Sequence, residues 1–98
     1  MAQVTWSPSS LADPEGIAEF ISRDSPHYAN LFVQAVVQHV EMFAELPRSG
    51  RIVPEYGMEN LREFLYESYR IVYRIQGFGM EVAAVVHGAR LLPASPPQ

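Results

Sequence analysis

The stretch YRIVYRIQGFGMEVAAVVH, residues 69–87, decides the fold class. Residues 69–76 and 80–87 are rich in β-branched and aromatic side chains, which favour strands. Between them, Gly77 and Gly79 are typical turn residues, so the stretch predicts an antiparallel hairpin. The second run is apolar at almost every position, which predicts a strand near the middle of the sheet.

Residues 69–76 alternate between two faces. Ile71 and Tyr73 lie on one face, and Arg70 and Arg74 on the other. We expect the apolar face to pack against helices and the arginines to point to the opposite, partly open face. The last strand is expected to alternate regularly in the same way.

Upstream of the hairpin, residues 61–67 predict a further strand, and residues 3–6 a short first strand. Residues 47–60 form the longest irregular stretch. A loop of this length in a compact domain is often functional. A plain connection across the sheet edge is an equally good interpretation.

Two helices are predicted between the first strand and this loop. Asp13-Pro14-Glu15 is a typical helix start, and the first helix extends to about Arg23. Asp24-Ser25-Pro26 caps a second helix with a wide apolar face, which ends at Pro47. The predicted fold is α+β: an N-terminal strand and a two-helix antiparallel hairpin packed on one face of a small, mainly antiparallel twisted sheet.

The chain has 98 residues, of which 48% are apolar, and this predicts one folded domain. We assign the domain to residues 1–92 and expect the proline-rich tail, residues 93–98, to be disordered. The absence of cysteine excludes disulfides and thiolate metal sites. The N-terminal residues lack the features of a signal peptide, so a cytoplasmic protein is expected.

The charge pattern bears on nucleic-acid binding. The formal net charge is -4, all seven basic residues are arginine, and lysine is absent. This overall charge does not favour strong binding to phosphates. A local phosphate-binding patch is still one interpretation, and its members would be Arg62, Arg70, Arg74 and Arg90. Pairing with the nearby glutamates is the more common role of such arginines, by about two to one. No metal-ligand spacing or phosphate loop is present, and no cofactor is expected.

Six fragments carry a family resemblance through their order along the chain. They are Ile17-x-x-Phe20-Ile21-x-x-Asp24-Ser25-Pro26-x-x-Ala29, Pro47-x-x-Gly50-Arg51-x-Val53-Pro54-Glu55, Leu61-Arg62-Glu63, Tyr69-Arg70-Ile71-Val72-Tyr73-Arg74, Val85-Val86-His87 and Gly88-Ala89-Arg90. Together they resemble the RelE/ParE superfamily of bacterial toxins from type II toxin-antitoxin systems. The resemblance implies growth inhibition and, for some members, plasmid stabilisation.

The resemblance implies different chemistry in two branches. In the RelE-like branch, whose members are ribosome-dependent mRNA endoribonucleases, the catalytic arginines match Arg70 and Arg90. Arg62, the one basic residue of the preceding strand, and His87, as a general acid or base, are the further candidates under that interpretation. That branch also has a tyrosine after the last arginine and lysines on an earlier strand, and this chain has neither. The ParE-like branch inhibits DNA gyrase and breaks no bond itself, so no catalytic residue is expected there. A degenerate, non-toxic relative that only binds an antitoxin is a third alternative.

The ParE-like interpretation gives a structural motif and a partner surface. Arg51, Glu55, Arg62 and Glu63 are expected to hold the long loop against the sheet. The implied partner is a cognate antitoxin whose disordered tail folds on the toxin, giving a hetero-oligomer without a membrane. The candidate groove residues are Trp6, Phe20, Tyr28, Leu31, Phe32, Val36 and Phe43. A place in the core is the alternative for most of them, because core and groove residues share one periodicity.

Overall fold

The computed structural model describes residues 3–7, 16–17, 23, 25–77, 79–88 and 92. It contains one helix and five strands with assigned bounds. These elements are β1 (Gln3–Trp6), α1 (Pro26–Glu45), β2 (Arg51–Ile52), β3 (Leu61–Tyr66), β4 (Tyr69–Gln76) and β5 (Gly79–His87). A short 3-10 turn, Pro47–Ser49, follows the helix.

Helix α1 begins and ends where the sequence supplies the appropriate caps. The Ser25 hydroxyl accepts a hydrogen bond of 3.2 Å from the Tyr28 amide, and Pro26 occupies the first helical turn. At the other end, the Leu46 amide donates to the Phe43 carbonyl, and Pro47 opens the 3-10 turn. The buried positions follow three- and four-residue steps and are Ala29, Phe32, Val36, Val40 and Ala44. This face lies on the sheet.

The five strands form one mixed sheet in the order β1-β5-β4-β3-β2. Pairs β2–β3, β3–β4 and β4–β5 are antiparallel, whereas β1 runs parallel to β5 with Gln3 opposite Gly79. A Cβ atom at Gly79 would lie 1.8 Å from the Gln3 carbonyl oxygen, so β1 can approach β5 only because position 79 is glycine. Strand β5 is an interior strand between β1 and the central strand β4, which agrees with its predicted place near the middle of the sheet.

The predicted two-helix hairpin on a mainly antiparallel sheet is wrong, although the α+β class fits. Within the described part of the chain α1 is the single α-helix with assigned bounds, and the sheet is mixed. Gly16 and Ile17 are helical, Arg23 is in a turn, and the remainder of residues 13–22, together with Asp24, lies outside the described residues. The parallel pair arises because the chain crosses over the sheet between β1 and the later strands.

The regular alternation expected in β5 is also wrong. A β-bulge interrupts the β4–β5 register between Val72 and Tyr73. As a result Val82 and Val85 both contribute to the core under α1, although they are three residues apart. The extra residue of a bulge changes which face the following side chains occupy, and short-range alternation does not reveal it.

The larger core lies between α1 and the sheet. It contains Phe32, Val36 and Val40 of the helix against Ile71 and Tyr73 of β4, with further residues from β3 and β5. Aromatic rings are densely packed there. The rings of Phe43 and Phe64 stack with centroids 4.2 Å apart, and the rings of Phe32 and Tyr69 meet edge-on at 5.1 Å.

A smaller apolar cluster covers part of the opposite face. It contains the buried residues Val53, Leu61, Val72, Ala83 and Leu92. Val53 comes from the loop after β2, and Leu92 lies beyond β5. The sheet face opposite α1 is therefore partly covered by chain segments. The part that stays open lies toward the β3–β4 turn.

Candidate functional site

An open cavity lies on the sheet face opposite α1, beside the β3–β4 turn. Its volume is about 680 Å³. The lining residues are Arg51, Pro54, Glu55, Leu65, Glu67, Ser68, Arg70, His87 and Gly88. Four of the residues named from the sequence for catalysis or loop anchoring thus line one cavity: Arg51, Glu55, Arg70 and His87.

Arg70 is buried at the base of this cavity. Its side chain is 6% exposed and is bound by two carboxylates. The two terminal nitrogens donate to both oxygens of Glu55 at 2.6 and 2.7 Å, and Nε donates to Glu63 Oε1 at 2.7 Å. The planar Arg70 guanidinium thus binds one carboxylate with two nitrogens and a second carboxylate with the third. These are the donors with which an arginine would bind a phosphate, and here they are occupied.

The electrostatics of this group follow from the same contacts. The Arg70 hydrogen bonds lower the pKa of Glu55 from its ordinary value of 4.5 to about 2, against the opposing effect of burial. The Glu55 hydrogen bonds in turn raise the pKa of Arg70. Both groups are therefore charged at neutral pH, and they form a tight internal ion pair.

Glu63 links Arg70 to Arg51. The Glu63 side chain is fully buried, and its second oxygen accepts a hydrogen bond from Arg51 Nε. The Arg51 side chain remains 57% exposed. Glu55 also accepts a hydrogen bond of 3.2 Å from the Leu92 amide. The network of Arg51, Glu63, Arg70 and Glu55 therefore joins β2, β3, β4, the long loop and Leu92.

Arg62, which the sequence groups with these residues, lies on the other side of the sheet. It is paired with Tyr73, which packs under α1. Its guanidinium donates to the carbonyls of Arg48, Gly50 and Glu59 and to the Glu59 carboxylate. Arg62 thus holds the two ends of the long loop together, and it does not converge with Arg70.

The other residues of the ribonuclease interpretation are dispersed. His87 is exposed at the end of β5, with its ring edge-on to Tyr69 at 5.6 Å. Arg74 pairs with Glu81 at 3.0 Å. Arg90 lies outside the described residues. The structure brings Arg70 and His87 to one cavity but places Arg62 elsewhere.

The residues predicted to line an antitoxin groove do not share one exposed surface. Phe32 and Val36 are 2% and 0% exposed, so they belong to the core and offer no surface to a partner. They face the sheet because they lie in the middle of the buried helix stripe. Trp6 and Phe43 are half-buried against the same core. Tyr28 and Leu31 are exposed by 42% and 48%, and Phe20 lies outside the described residues.

Two anchoring groups were not predicted from the sequence. The Tyr73 hydroxyl donates to the Pro47 carbonyl and accepts a hydrogen bond of 3.1 Å from the Gly50 amide, and burial raises the Tyr73 pKa. A Cβ atom at Gly50 would lie 2.1 Å from that hydroxyl, so the anchor requires glycine. Only the closeness of Gly50 to the motif residue Arg51 hinted at this role.

The second group lies at the β3–β4 turn. Glu67 has a φ of 52°, which is unusual for a residue other than glycine. Its carboxylate accepts hydrogen bonds of 2.8 and 2.6 Å from the Tyr28 hydroxyl of α1, which raise the pKa of Tyr28. No sequence pattern connects these two residues, which are 39 positions apart.

Neither a metal site nor a membrane span is found in the part of the chain that the structure describes. Its histidines and acidic residues form no group of three that could hold a metal ion. Helix α1 is not apolar enough to cross a membrane.

Comparison with known proteins identifies the class. The chain matches a structure described as the chromosomal ParDE TA system from P. aeruginosa with a TM-score of 0.72 and 19% identity, over 89% of this chain and 96% of that chain. At this identity the match shows the fold.

The sequence comparisons show the family. The family model described as the ParE toxin of the type II toxin-antitoxin system parDE matches residues 4–92. The chain is also 30% identical over 92 residues to "Toxin RelE2" of Caulobacter vibrioides, covering 93% of this chain and all of that protein. The chain belongs to the ParE toxin family of type II toxin-antitoxin systems, and its family partner is an antitoxin.

Proposed function

We propose that this toxin acts in the cytoplasm by inhibiting DNA gyrase through a protein-binding surface, and that it cuts no RNA. The observation that carries the proposal is the state of Arg70. Its guanidinium is 6% exposed and already binds Glu55 and Glu63. A ribonuclease of the RelE type needs this arginine for the phosphate that carries charge in the transition state.

The charge of the cavity supports the same proposal. Two arginines, Arg51 and Arg70, bind the carboxylates of Glu55 and Glu63, and Glu67 also lines the cavity. Acidic groups at a phosphate site oppose binding of the RNA backbone. Displacing Glu55 from Arg70 would also leave a buried charge with fewer partners, which is costly. A role of the network in holding the loop and Leu92 explains these contacts without RNA.

One feature favours a RelE-like endoribonuclease as the second candidate. The exposed His87 ring lines the same cavity as the exposed Arg51 side chain. An imidazole ring at such a place could act as a general acid or base. His87→Ala separates the candidates because the ring is exposed at a strand end, and its loss should leave the fold intact.

The test is induction of the wild type and of His87→Ala in cells without antitoxin. We expect both proteins to cause cleaved-DNA complexes of gyrase and cell filamentation while amino-acid incorporation continues during the first generation. Purified toxin is expected to inhibit gyrase supercoiling in vitro. Prompt loss of translation that His87→Ala abolishes would overturn the proposal in favour of the ribonuclease. The absence of any growth defect at confirmed expression would support the non-toxic relative.

A further inference from the structure

The Glu55 carboxylate occupies a set of donors that would also hold a small oxyanion. Its two oxygens accept hydrogen bonds of 2.6 and 2.7 Å from the two terminal nitrogens of Arg70. One of these oxygens also accepts a hydrogen bond of 3.2 Å from the Leu92 amide. A guanidinium binds two oxygens of a carboxylate and two oxygens of a phosphate with the same pair of nitrogens. Three N–H donors therefore converge on a place that fits either anion.

These donors are held by contacts other than those with Glu55. Arg70 lies in β4, an interior strand of the sheet, and its Nε donates to Glu63 Oε1 at 2.7 Å. The Glu63 side chain is fully buried, so this contact fixes the plane of the guanidinium. Leu92 belongs to the smaller apolar cluster and is 8% exposed. Removal of the Glu55 carboxylate should therefore leave all three donors in place.

The balance of charge favours an anion at this place once Glu55 is gone. The network contains two arginines, Arg51 and Arg70, and two glutamates, Glu55 and Glu63, so its formal charges cancel. Without Glu55 the network carries one positive charge, and the Arg70 side chain is 6% exposed. A buried charge without a compensating partner is costly. An oxyanion from solution that binds the Arg70 guanidinium would remove this cost.

The cavity beside Glu55 has room for an anion larger than a carboxylate. Its volume is about 680 Å³, and Arg51 and His87 line it together with Arg70. A phosphate held by the two terminal nitrogens of Arg70 would direct its remaining oxygens into this space. The Arg51 side chain is 57% exposed and is held through its Nε by Glu63, so it offers a second positive charge at the same cavity.

Glu55 reaches the Arg70 guanidinium from a turn at the protein surface. The turn closes on itself, because the Tyr56 and Gly57 amides donate to the Val53 carbonyl at 3.1 and 2.9 Å. The Glu55 side chain, 20% exposed, points inward from this turn. Tyr56 packs against the smaller apolar cluster and keeps the turn in place. The Glu55 carboxylate is thus present at a high effective concentration, against which a free anion must compete.

We propose that the Arg70 guanidinium and the Leu92 amide form an oxyanion-binding site that Glu55 closes from within. Its ligands are phosphate and chemically similar oxyanions. Such an ion binds only when the Glu55 carboxylate is removed or displaced. The proposal goes beyond gyrase inhibition and does not depend on it, because it concerns the occupant of the Arg70 site and not the cellular target.

The test compares the thermal unfolding of Glu55→Ala and Glu41→Ala in increasing inorganic phosphate near neutral pH. Glu41 is an exposed residue of α1, so the two variants have the same net charge. Phosphate stabilises folded proteins in general, and Glu41→Ala measures this effect. We expect an additional, saturable rise in the Tm of Glu55→Ala, by about 5–10 °C at ten times the dissociation constant. The wild type should respond like Glu41→Ala.

Amide NMR of the same proteins locates the bound ion. In Glu55→Ala, phosphate is expected to shift the Leu92 amide resonance with the same dissociation constant as the Tm. In the wild type the same shift should require at least about tenfold more phosphate, because Glu55 competes for the site. If Glu55→Ala does not fold, Glu55→Gln gives the same test, because its amide has nearly the shape of the carboxylate but does not neutralise Arg70.

A folded Glu55→Ala that gains no more stability from phosphate than Glu41→Ala would overturn the proposal. So would a gain that leaves the Leu92 amide resonance unchanged, because the ion would then bind elsewhere. A wild type that binds phosphate as tightly as Glu55→Ala would show that Glu55 does not close the site. Gyrase inhibition by the wild type is measured separately, so its absence would refute the proposed function and leave this proposal untouched.

Discussion

The two faces of the sheet are stabilised by different physics. Under α1 the core is apolar, with Phe32, Tyr73 and their neighbours in close contact. On the other face a small apolar cluster adjoins a chain of buried charges that runs through Glu63 and Arg70. Burial of apolar area is non-directional and tolerates change in detail, whereas buried charges depend on every partner being in place. Arg70 and its partners, which by residue type most resemble a catalytic site, therefore have a structural role: they hold the long loop and Leu92 against the sheet.

The largest expected effect is on the apolar face. Phe32→Ala removes a ring that is 2% exposed and contacts Tyr66 and Tyr69. We expect a loss of about 3–5 kcal/mol in the free energy of unfolding, measured by urea denaturation, because a cavity remains. Val37→Ala on the exposed flank should cost less than about 1 kcal/mol. Similar losses at the two positions would show that this face is not the main core.

An isosteric substitution that removes one charge on the opposite face tests the ion network. Glu63→Gln removes the buried charge that binds both Arg51 and Arg70. We expect it to cost about 3 kcal/mol, because Arg70 keeps only Glu55 as a charged partner in this network. The matched control is Arg48→Gln, which removes the exposed Arg48–Glu59 pair (side chains 63% and 67% exposed) and should cost less than about 1 kcal/mol. Equal effects of the two substitutions would remove the contrast between buried and surface pairs.

The smallest effect concerns pH. The pKa of Glu55 is about 2 in the folded protein against an ordinary 4.5, so its carboxylate stabilises the fold above pH 4.5. This contribution is lost as the pH falls from 4.5 to about 2. Glu55→Gln should be less stable than wild type at pH 7 by about 1 kcal/mol, allowing for partial exposure.

The measurement is the midpoint of thermal unfolding at several pH values between 7 and 2, as far as each protein stays folded (~pH 2 being the folded pKa). The difference between Glu55→Gln and wild type should shrink steadily below pH 4.5, the ordinary carboxyl pKa. A difference that stays constant into the acid range would mean that the loss came from packing and not from the charge.

Local sequence patterns are sufficient to predict α1 and β4. The cap at Ser25 and the apolar periodicity after it identify α1, and the alternation of Ile71 and Tyr73 with Arg70 identifies β4 and its two faces. Such signals are contained within a few residues, so chain topology does not affect them. Local patterns did not predict the mixed sheet. The parallel pairing of β1 with β5 joins segments about 76 residues apart, for example Gln3 and Gly79.

The site was predicted in its members but not in its pairings. Arg51, Glu55 and Arg70 were named from motif positions, yet a list of charges does not show that Glu55 and Glu63 occupy the Arg70 guanidinium. Arg62 was grouped with them although its strand position places it under α1. Side-chain partners depend on register, and a shift of one residue moves every side chain to the other face.

The sequence alone determined the N-cap of α1, the strands β1, β3, β4 and β5, and the membership of a toxin family. Those features reside in residue chemistry and in the order of short motifs. The sequence did not determine β2, which lies within the stretch predicted to be irregular. The tertiary structure decided which carboxylates neutralise Arg70 and that the Tyr73 hydroxyl anchors Pro47 and Gly50. These facts depend on distances between segments remote in the chain, and such distances are set only when the whole sheet and its helix pack together.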